Sequence, residues 1–550
     1  MKRLLLCLMA AATLLPAATA KEAWTPDAGG GRYRNPVLHA DYSDPDAVRG
    51  SDGYFYLTAS SFASTPGLPV LRSADLVNWE IIGYAIDALE PRAFYDAEPR
   101  HGKGVWAPSI REHDGRYYIY WGDPDFGIFM VSAADPAGPW SEPVLVIAGR
   151  GMIDPTPLWD DDGRLYLVHA WAASRSGFNS VLTIFELSAD GTRPISEPVL
   201  VVDGNDGVNH TIEGPKLYKR NGWYYIFAPA GGVEQGWQLA MRSRNIYGPY
   251  ETRRVMEQGD SPVNGPHQGA WVDDAEGQSW FLHFQDKGPY GRVVHLQPMR
   301  WADDWPVIGD DPDGDGIGNP VLSWRKPAAS HASAVTQPAT SDHFDSAQPG
   351  LQWEWSGNPG LDHGFPSAMG FYRLYGYRQP EGYRNMWSIP NLMLQKFPAP
   401  EFKVTARVRI SAKAAADGAV SGIVVMGRDY STLGLRKEAD GFVLVRATCT
   451  DAEDGTSEVT QDIATIAPTR TYAAGLHPNY ECDIWLRVSV DKNAMCRFSY
   501  STDERRWHNA GEPFAARAGK WIGAKVGLYS TAPAGTDRGW MDIDSFTVEK

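Results

Sequence analysis

Along its first 325 residues the chain repeats one pattern, a turn pair followed by a short apolar run dense in aromatics. Asp52-Gly53 leads into residues 54–57, Asp114-Gly115 into 116–119, Asp162-Gly163 into 164–167, Asn221-Gly222 into 223–226 and Glu276-Gly277 into 278–282. Asp-Gly and Asn-Gly supply the positive φ that tight hairpin turns need, so each predicts a strand–turn–strand unit. The five glycines lie 62, 48, 59 and 55 residues apart, and the units run on into further apolar stretches such as 71–79 and 241–250. Repeats of this length built from several short strands predict propeller blades, and five of them a five-bladed β-propeller over residues 21–325. Beyond residue 342 the pattern becomes alternation, as in 402–410, 442–446 and 484–490. With frequent turns, that period predicts an antiparallel β-sandwich over 343–550. The small, polar, proline-containing stretch 326–342 reads as a linker. The predicted class is all-β.

Counting back from the turn glycines gives a second regularity. Nine residues before Gly53, Gly115, Gly163 and Gly222 stand Asp44, Trp106, Asp154 and Glu213, and ten before Gly277 stands His267. The first strand of a propeller blade lines the central channel, so equivalent units would bring these five side chains together. Three carboxylates gathered there repel one another, which makes them functional candidates rather than channel decoration.

Composition narrows the chemistry. A formal net charge of −16 and no long basic block argue against a nucleic-acid partner. Lys2 and Arg3, an apolar run over 4–16 and Ala18-Thr19-Ala20 match a secretory signal, predicting a leader at 1–20 and a secreted or periplasmic protein. No later stretch reaches the ~20 apolar residues that span a bilayer, so no membrane partner is expected. Cys449, Cys482 and Cys496 are odd in number, and the last two are out of register for a cross-strand bond, so buried free thiols are expected. Asp311, Asp313 and Asp315 imitate the start of a calcium loop, but its twelfth position is Leu322 rather than glutamate, and a hydrogen-bonded turn is the better reading. Zinc, nucleotide and redox motifs are missing. Two or three carboxylates without an evident metal scaffold suit glycoside hydrolysis, in which one group protonates the leaving oxygen and another activates water or attacks the sugar.

These residues resemble glycoside hydrolase family 43. Residues 35–38 and 40–46, with Asp41, Asp44 and Asp46, look like the family's opening motif; Trp106-Ala107-Pro108, Ile153-Asp154-Pro155, Ile212-Glu213-Gly214-Pro215, Pro266-His267-Gln268-Gly269 and Gly291-Arg292 follow in the family's order over about 32–325. The resemblance implies a five-bladed propeller acting with inversion. By motif, Asp44 would be the general base, Glu213 the general acid, and Asp154 the group that raises the acid's pKa and holds it in place. Arg292 would reach sugar hydroxyls near Asp154, and His267 would order water or help hold a structural calcium; no other cofactor is implied. Trp106, Phe62 and Trp237 are candidate sugar-pocket walls. Asp41 and Asp46 read as structural hydrogen-bonders.

The C-terminal part resembles the concanavalin-like sandwiches carried by some members of that family, which pack on the propeller; His363 and Phe365 are the candidates to reach the pocket. A free-standing carbohydrate-binding module is the competing reading. The favoured function is exo-acting release of terminal β-D-xylose or α-L-arabinofuranose from pentose-containing saccharides such as xylan and arabinoxylan. An endo-acting arabinanase with an open groove and a non-catalytic sugar-binding propeller are the alternatives.

Overall fold

Five antiparallel four-stranded sheets follow one another in sequence order, each one blade. Blade 1 comprises Asp46–Arg49, Phe55–Thr58, Gly67–Ser73 and Trp79–Ile86. Blade 2 comprises Trp106–His113, Arg116–Asp123, Gly127–Ala133 and Val144–Ala148, and blade 3 Met152–Trp159, Leu165–Trp171, Val181–Leu187 and Val199–Asp203. Blade 4 comprises Lys216–Arg220, Trp223–Ala230, Trp237–Ser243 and Glu251–Met256, and blade 5 His267–Asp273, Ser279–Asp286, Arg292–Ala302 and Trp305–Ile308. The computed structural model describes residues 23–360, 362–472 and 480–550, so the leader expected at 1–20 lies outside the described residues.

The aromatic runs form the second strand of each blade, and packing explains why they are apolar on both faces. Each seam between neighbouring blades holds its own buried cluster. Tyr56 of blade 1 packs with Ile119 of blade 2, Tyr120 of blade 2 with Leu165 of blade 3, and Tyr166 of blade 3 with Ile226 of blade 4. Tyr225 of blade 4 meets Phe281 of blade 5, and Leu282 of blade 5 meets Leu57 of blade 1, closing the ring. Successive residues of one strand point to opposite seams, so neither face is free to be polar.

The turn glycines all have positive φ, but the hairpins are of two kinds. Asp114-Gly115 and Asn221-Gly222 are two-residue turns with both residues at positive φ. The other three glycines are fourth in five-residue loops, between Arg49 and Phe55, Trp159 and Leu165, and Asp273 and Ser279.

The ring is closed by the N-terminal segment rather than by a shared blade. Arg32–Arg34 pairs with Asp27–Gly29 and with Ser323–Arg325. Buried Asn35 then does the work of a short strand: its Nδ2 donates to Leu296 O and Val321 O, and its Oδ1 accepts from Leu296 N, all at 2.8 Å. The stretch expected to be a linker lies strapped along blade 1 instead. Lys326 pairs with Asp27, Ser333 Oγ donates to Asp75 at 2.7 Å, and the His331 ring stacks on Tyr54 at 4.0 Å. Small polar residues suit a strap as well as a tether, because both lack an apolar face.

The sandwich has an eight-stranded and a nine-stranded sheet. Tyr480–Val490 alternates buried and half-buried residues along its whole length, and Phe402–Ala415 alternates buried with half-buried or exposed residues over its first half. Cys449, Cys482 and Cys496 are buried free thiols, as expected. The sandwich is docked on the propeller. Tyr290 of blade 5 belongs to the sandwich core, its hydroxyl 2.6 Å from Asp491 O and accepting from Ala494 N at 3.1 Å. Thr65 and Trp355 exchange backbone bonds, and Lys525 Nζ reaches Ser64 Oγ at 2.6 Å.

Replacing Asn35 by Ala strands buried backbone groups at the ring closure. The expected cost is about 2–3 kcal/mol, read as a lower urea midpoint with an unchanged slope; a change within error would show that closure rests on apolar packing alone.

Candidate active site

At the inner ends of the first strands lies a pocket of about 560 Å³ lined by Asp44, Phe62, Trp106, Ala107, Ile153, Asp154, Val233, Glu213, His267, Gln268, Arg292 and Trp521. All five residues marked by the glycine count are among them. Their equivalence is looser than the count implied. Asp44 and Asp154 themselves have φ of 55° and 57°, whereas Trp106, Glu213 and His267 each precede the residue with positive φ, Ala107, Gly214 or Gln268. The strands carry bulges there in blades 2, 3 and 5. The spacing of nine arises because a longer hairpin loop offsets a one-residue difference at the pocket end.

Phe62 and Trp521 also have positive φ, so with Asp44, Asp154, Ala107 and Gln268 six non-glycine residues in this one pocket adopt the left-handed conformation. Each costs of order 1 kcal/mol, and such residues gather where function dictates their place.

The three carboxylates have different surroundings. Asp44 Oδ2 accepts from Ser43 Oγ at 2.7 Å and Ser60 Oγ at 2.5 Å, and its Oδ1 lies 3.3 Å from Arg292 Nη1. Asp154 is buried, and its Oδ2 accepts from Gly214 N at 2.7 Å and faces Gln268 Nε2 at 3.4 Å. Glu213 Oε1 lies 3.0 Å from His267 Nε2. The Glu213 side chain is 36% exposed and that of Asp44 6%, so Glu213 is the acid most open to the pocket. Burial, reinforced by the Glu213 and Asp44 charges, pushes the Asp154 carboxyl well above the ordinary range, against the Gly214 hydrogen bond and Lys216.

Beneath the pocket lies a buried polar layer. Asp46 Oδ2 accepts from Ile110 N at 2.8 Å and Arg111 Nη1 at 2.6 Å. Fully buried Lys216 donates to Pro108 O at 2.9 Å and stands 3.8 Å from Asp46. Asp46 is thus a structural hydrogen-bonder, as is Asp41, which accepts from Arg292 N at 2.8 Å.

Arg292 lines the pocket together with Asp154, its guanidinium held beside Asp44 and Ser43 and its backbone N–H bonded to Asp41. Two expectations are corrected. Trp237 does not line the pocket; Arg254 sits 4.0 Å above its ring and His210 meets its edge. His363 and Phe365 do not reach it either, His363 packing on Trp355 and Phe365 near Tyr375. The sandwich reaches in through Trp521, edge-on to Trp106 at 6.2 Å, while Trp106 meets Phe62 edge-on at 6.1 Å. Trp521 belongs to no alternating run; a lone tryptophan between two glycines, in Gly519-Lys520-Trp521-Ile522-Gly523, is its only signal in the sequence.

Calcium prefers six to eight oxygen ligands. His267 presents one imidazole whose pocket-facing nitrogen is engaged by Glu213, with Nδ1 buried and unpartnered. Among the described residues, the one group of three acidic or histidine ligand atoms within 4.8 Å of one another is Asp311, Asp313 and Asp315, outside the pocket. Asp311 there pairs with Arg300 at 2.5 Å and accepts from Gly314 N at 3.0 Å.

A propeller that gathers three unlike carboxylates at its axis, roofed by an aromatic from a docked sandwich, is the frame of a glycoside hydrolase. The chain belongs to the glycosyl hydrolases family 43, whose model matches residues 33–306, and residues 341–549 match the beta-xylosidase C-terminal concanavalin A-like domain. It is 38% identical over 507 residues to a candidate beta-xylosidase of Xylanibacter ruminicola, covering 92% of this chain and 87% of that one. It is 29% identical to a non-reducing end alpha-L-arabinofuranosidase of Bacteroides ovatus over 76% of this chain and 79% of that protein. The fold matches a solved xylan beta-1,4-xylosidase of Bacillus halodurans with a TM-score of 0.78 at 21% identity, covering 94% of this chain and all of that one.

Because the folded state holds the Asp154 proton more tightly than the unfolded chain, this group lowers stability progressively as pH rises above the ordinary value of 3.8. Asp154→Asn keeps an acceptor for Gly214 and removes that penalty. Its melting temperature should match the wild type near pH 4 and exceed it by about 1–2 °C at pH 7; an equal or falling difference over that range would contradict the assignment.

Proposed function

We propose that the protein is an inverting, exo-acting glycosidase that releases terminal xylose or arabinofuranose from pentose-containing saccharides derived from xylan and arabinoxylan. The observation that carries this reading is one pocket holding three carboxylates in unlike settings. Glu213, the most exposed, is placed to protonate the glycosidic oxygen, and His267 orients it. Asp44, which accepts two hydroxyl hydrogens and faces Arg292, has the surroundings of a proton acceptor. It takes a proton from the water that attacks the anomeric carbon, as the bond to the leaving oxygen breaks and Glu213 gives up its own proton. Asp154 holds Gly214 and so fixes the residue beside it, Glu213.

Trp521 and Phe62 support release of a single sugar: with Trp106 they wall one side of the pocket, where an endo-acting enzyme needs an open groove. The basic and then apolar start of the chain supports export, and no metal is assigned to the reaction.

Glu213→Ala should lower kcat on nitrophenyl β-D-xyloside or α-L-arabinofuranoside by about 10²–10⁴-fold, with parallel assays ranking the two sugars. Binding without turnover in the wild type would favour a lectin. Proton NMR of early products should show the inverted anomer; a retained one would remove the inverting assignment.

A further inference from the structure

Asp41 has a task that a structural hydrogen-bonder need not have. Its buried carboxylate is shared between the domains. Oδ1 accepts from Arg292 N at 2.8 Å in the propeller, and Oδ2 accepts from Gly523 N at 3.0 Å in the sandwich. Arg292 carries the guanidinium beside Asp44, and Gly523 is two residues from Trp521. One carboxylate therefore holds the arginine at the candidate base and the loop that brings the aromatic roof.

The two backbones meet here with no room for side chains. A Cβ on Gly291, whose φ is +74°, would stand 2.5 Å from the Asp41 side chain, and a Cβ on Gly523 would stand 2.7 Å from Gly291 N. Ala524 N then donates to Pro289 O at 2.8 Å, so the sandwich loop is laced to the turn that precedes Arg292.

We propose that Asp41 is a positioning residue that sets the distance between Trp521 and the Arg292–Asp44 pair, so that sandwich docking tunes how the pocket grips the sugar. The inference rests on the pocket reading above. Both oxygens face N–H donors, so Asn, with one acceptor and one amide donor, must lose one of the two bonds.

The test is a double-mutant cycle on kcat/KM for the preferred nitrophenyl pentoside, with melting temperatures recorded alongside. Asp41→Asn should cost about tenfold in the wild type, chiefly through KM, and no more than about threefold when Trp521→Ala is already present, because the roof is then gone and only the hold on Arg292 is left to lose. Gly523→Ala, which strains the same joint from the sandwich side, should couple to Trp521→Ala in the same way and carries the test if Asp41→Asn does not fold. Equal factors in both backgrounds, or no loss in the wild type, would overturn the proposal. Turnover lost in Glu213→Ala scores the pocket reading by itself; if no pentoside is hydrolysed, the cycle is run on the Kd for xylose, with the same outcomes deciding.

Discussion

The constraint that shapes this protein is the mutual repulsion of carboxylates drawn to one axis. Like charges in a buried setting are costly unless protons or cations relieve them. Here the relief is built in at three levels. Arg292 flanks Asp44, Asp154 sits where its proton is retained, and the buried ammonium of Lys216 underlies the group, its own proton affinity lowered by burial while Asp46, Asp154 and Asp44 resist that. Lys216 in turn depends on Asp46 and on the carbonyl of Pro108, so the polar layer under the pocket is as much part of the site as its walls. The left-handed backbone at Asp44 and Asp154 belongs to the same economy, since strain aims each side chain inward where a regular strand would aim it at a seam.

The sandwich is not an appendage. It supplies Trp521 and grips the turn before Arg292 through Tyr290. It also fixes the loop bearing Phe62 through the Thr65–Trp355 backbone pair and the Lys525–Ser64 bond. Three walls of one pocket thus depend on contacts made outside the propeller. The seam is held by buried hydrogen bonds around Tyr290, a propeller side chain that enters the sandwich core.

Much of this was legible in the sequence, for identifiable reasons. The five aromatic strands announced themselves because seams on both faces demand apolar residues, and the alternation of 484–490 announced the sandwich because one face of that sheet is core. Asp44, Asp154 and Glu213 were found by spacing, although the spacing was equal only because turn length and strand start vary together. What stayed hidden depends on contacts between segments far apart in the chain. The pairing of Arg292 with Asp44 is one such contact, and Trp237 looks like a pocket aromatic until Arg254 covers it. Trp521 lies in a loop whose role is set by the partner domain. The strap over 326–342 has the composition of a tether, and only its acceptors, Asp75 and Asp274 among them, make it otherwise.

The three sulfhydryls in the sandwich interior are each separate and shielded from solvent. Among the described residues, then, no covalent link between distant segments is needed to fix either domain or to join them. The native packing therefore needs no oxidant to form, and in an oxidising exterior it is burial that must keep these three thiols from pairing with one another.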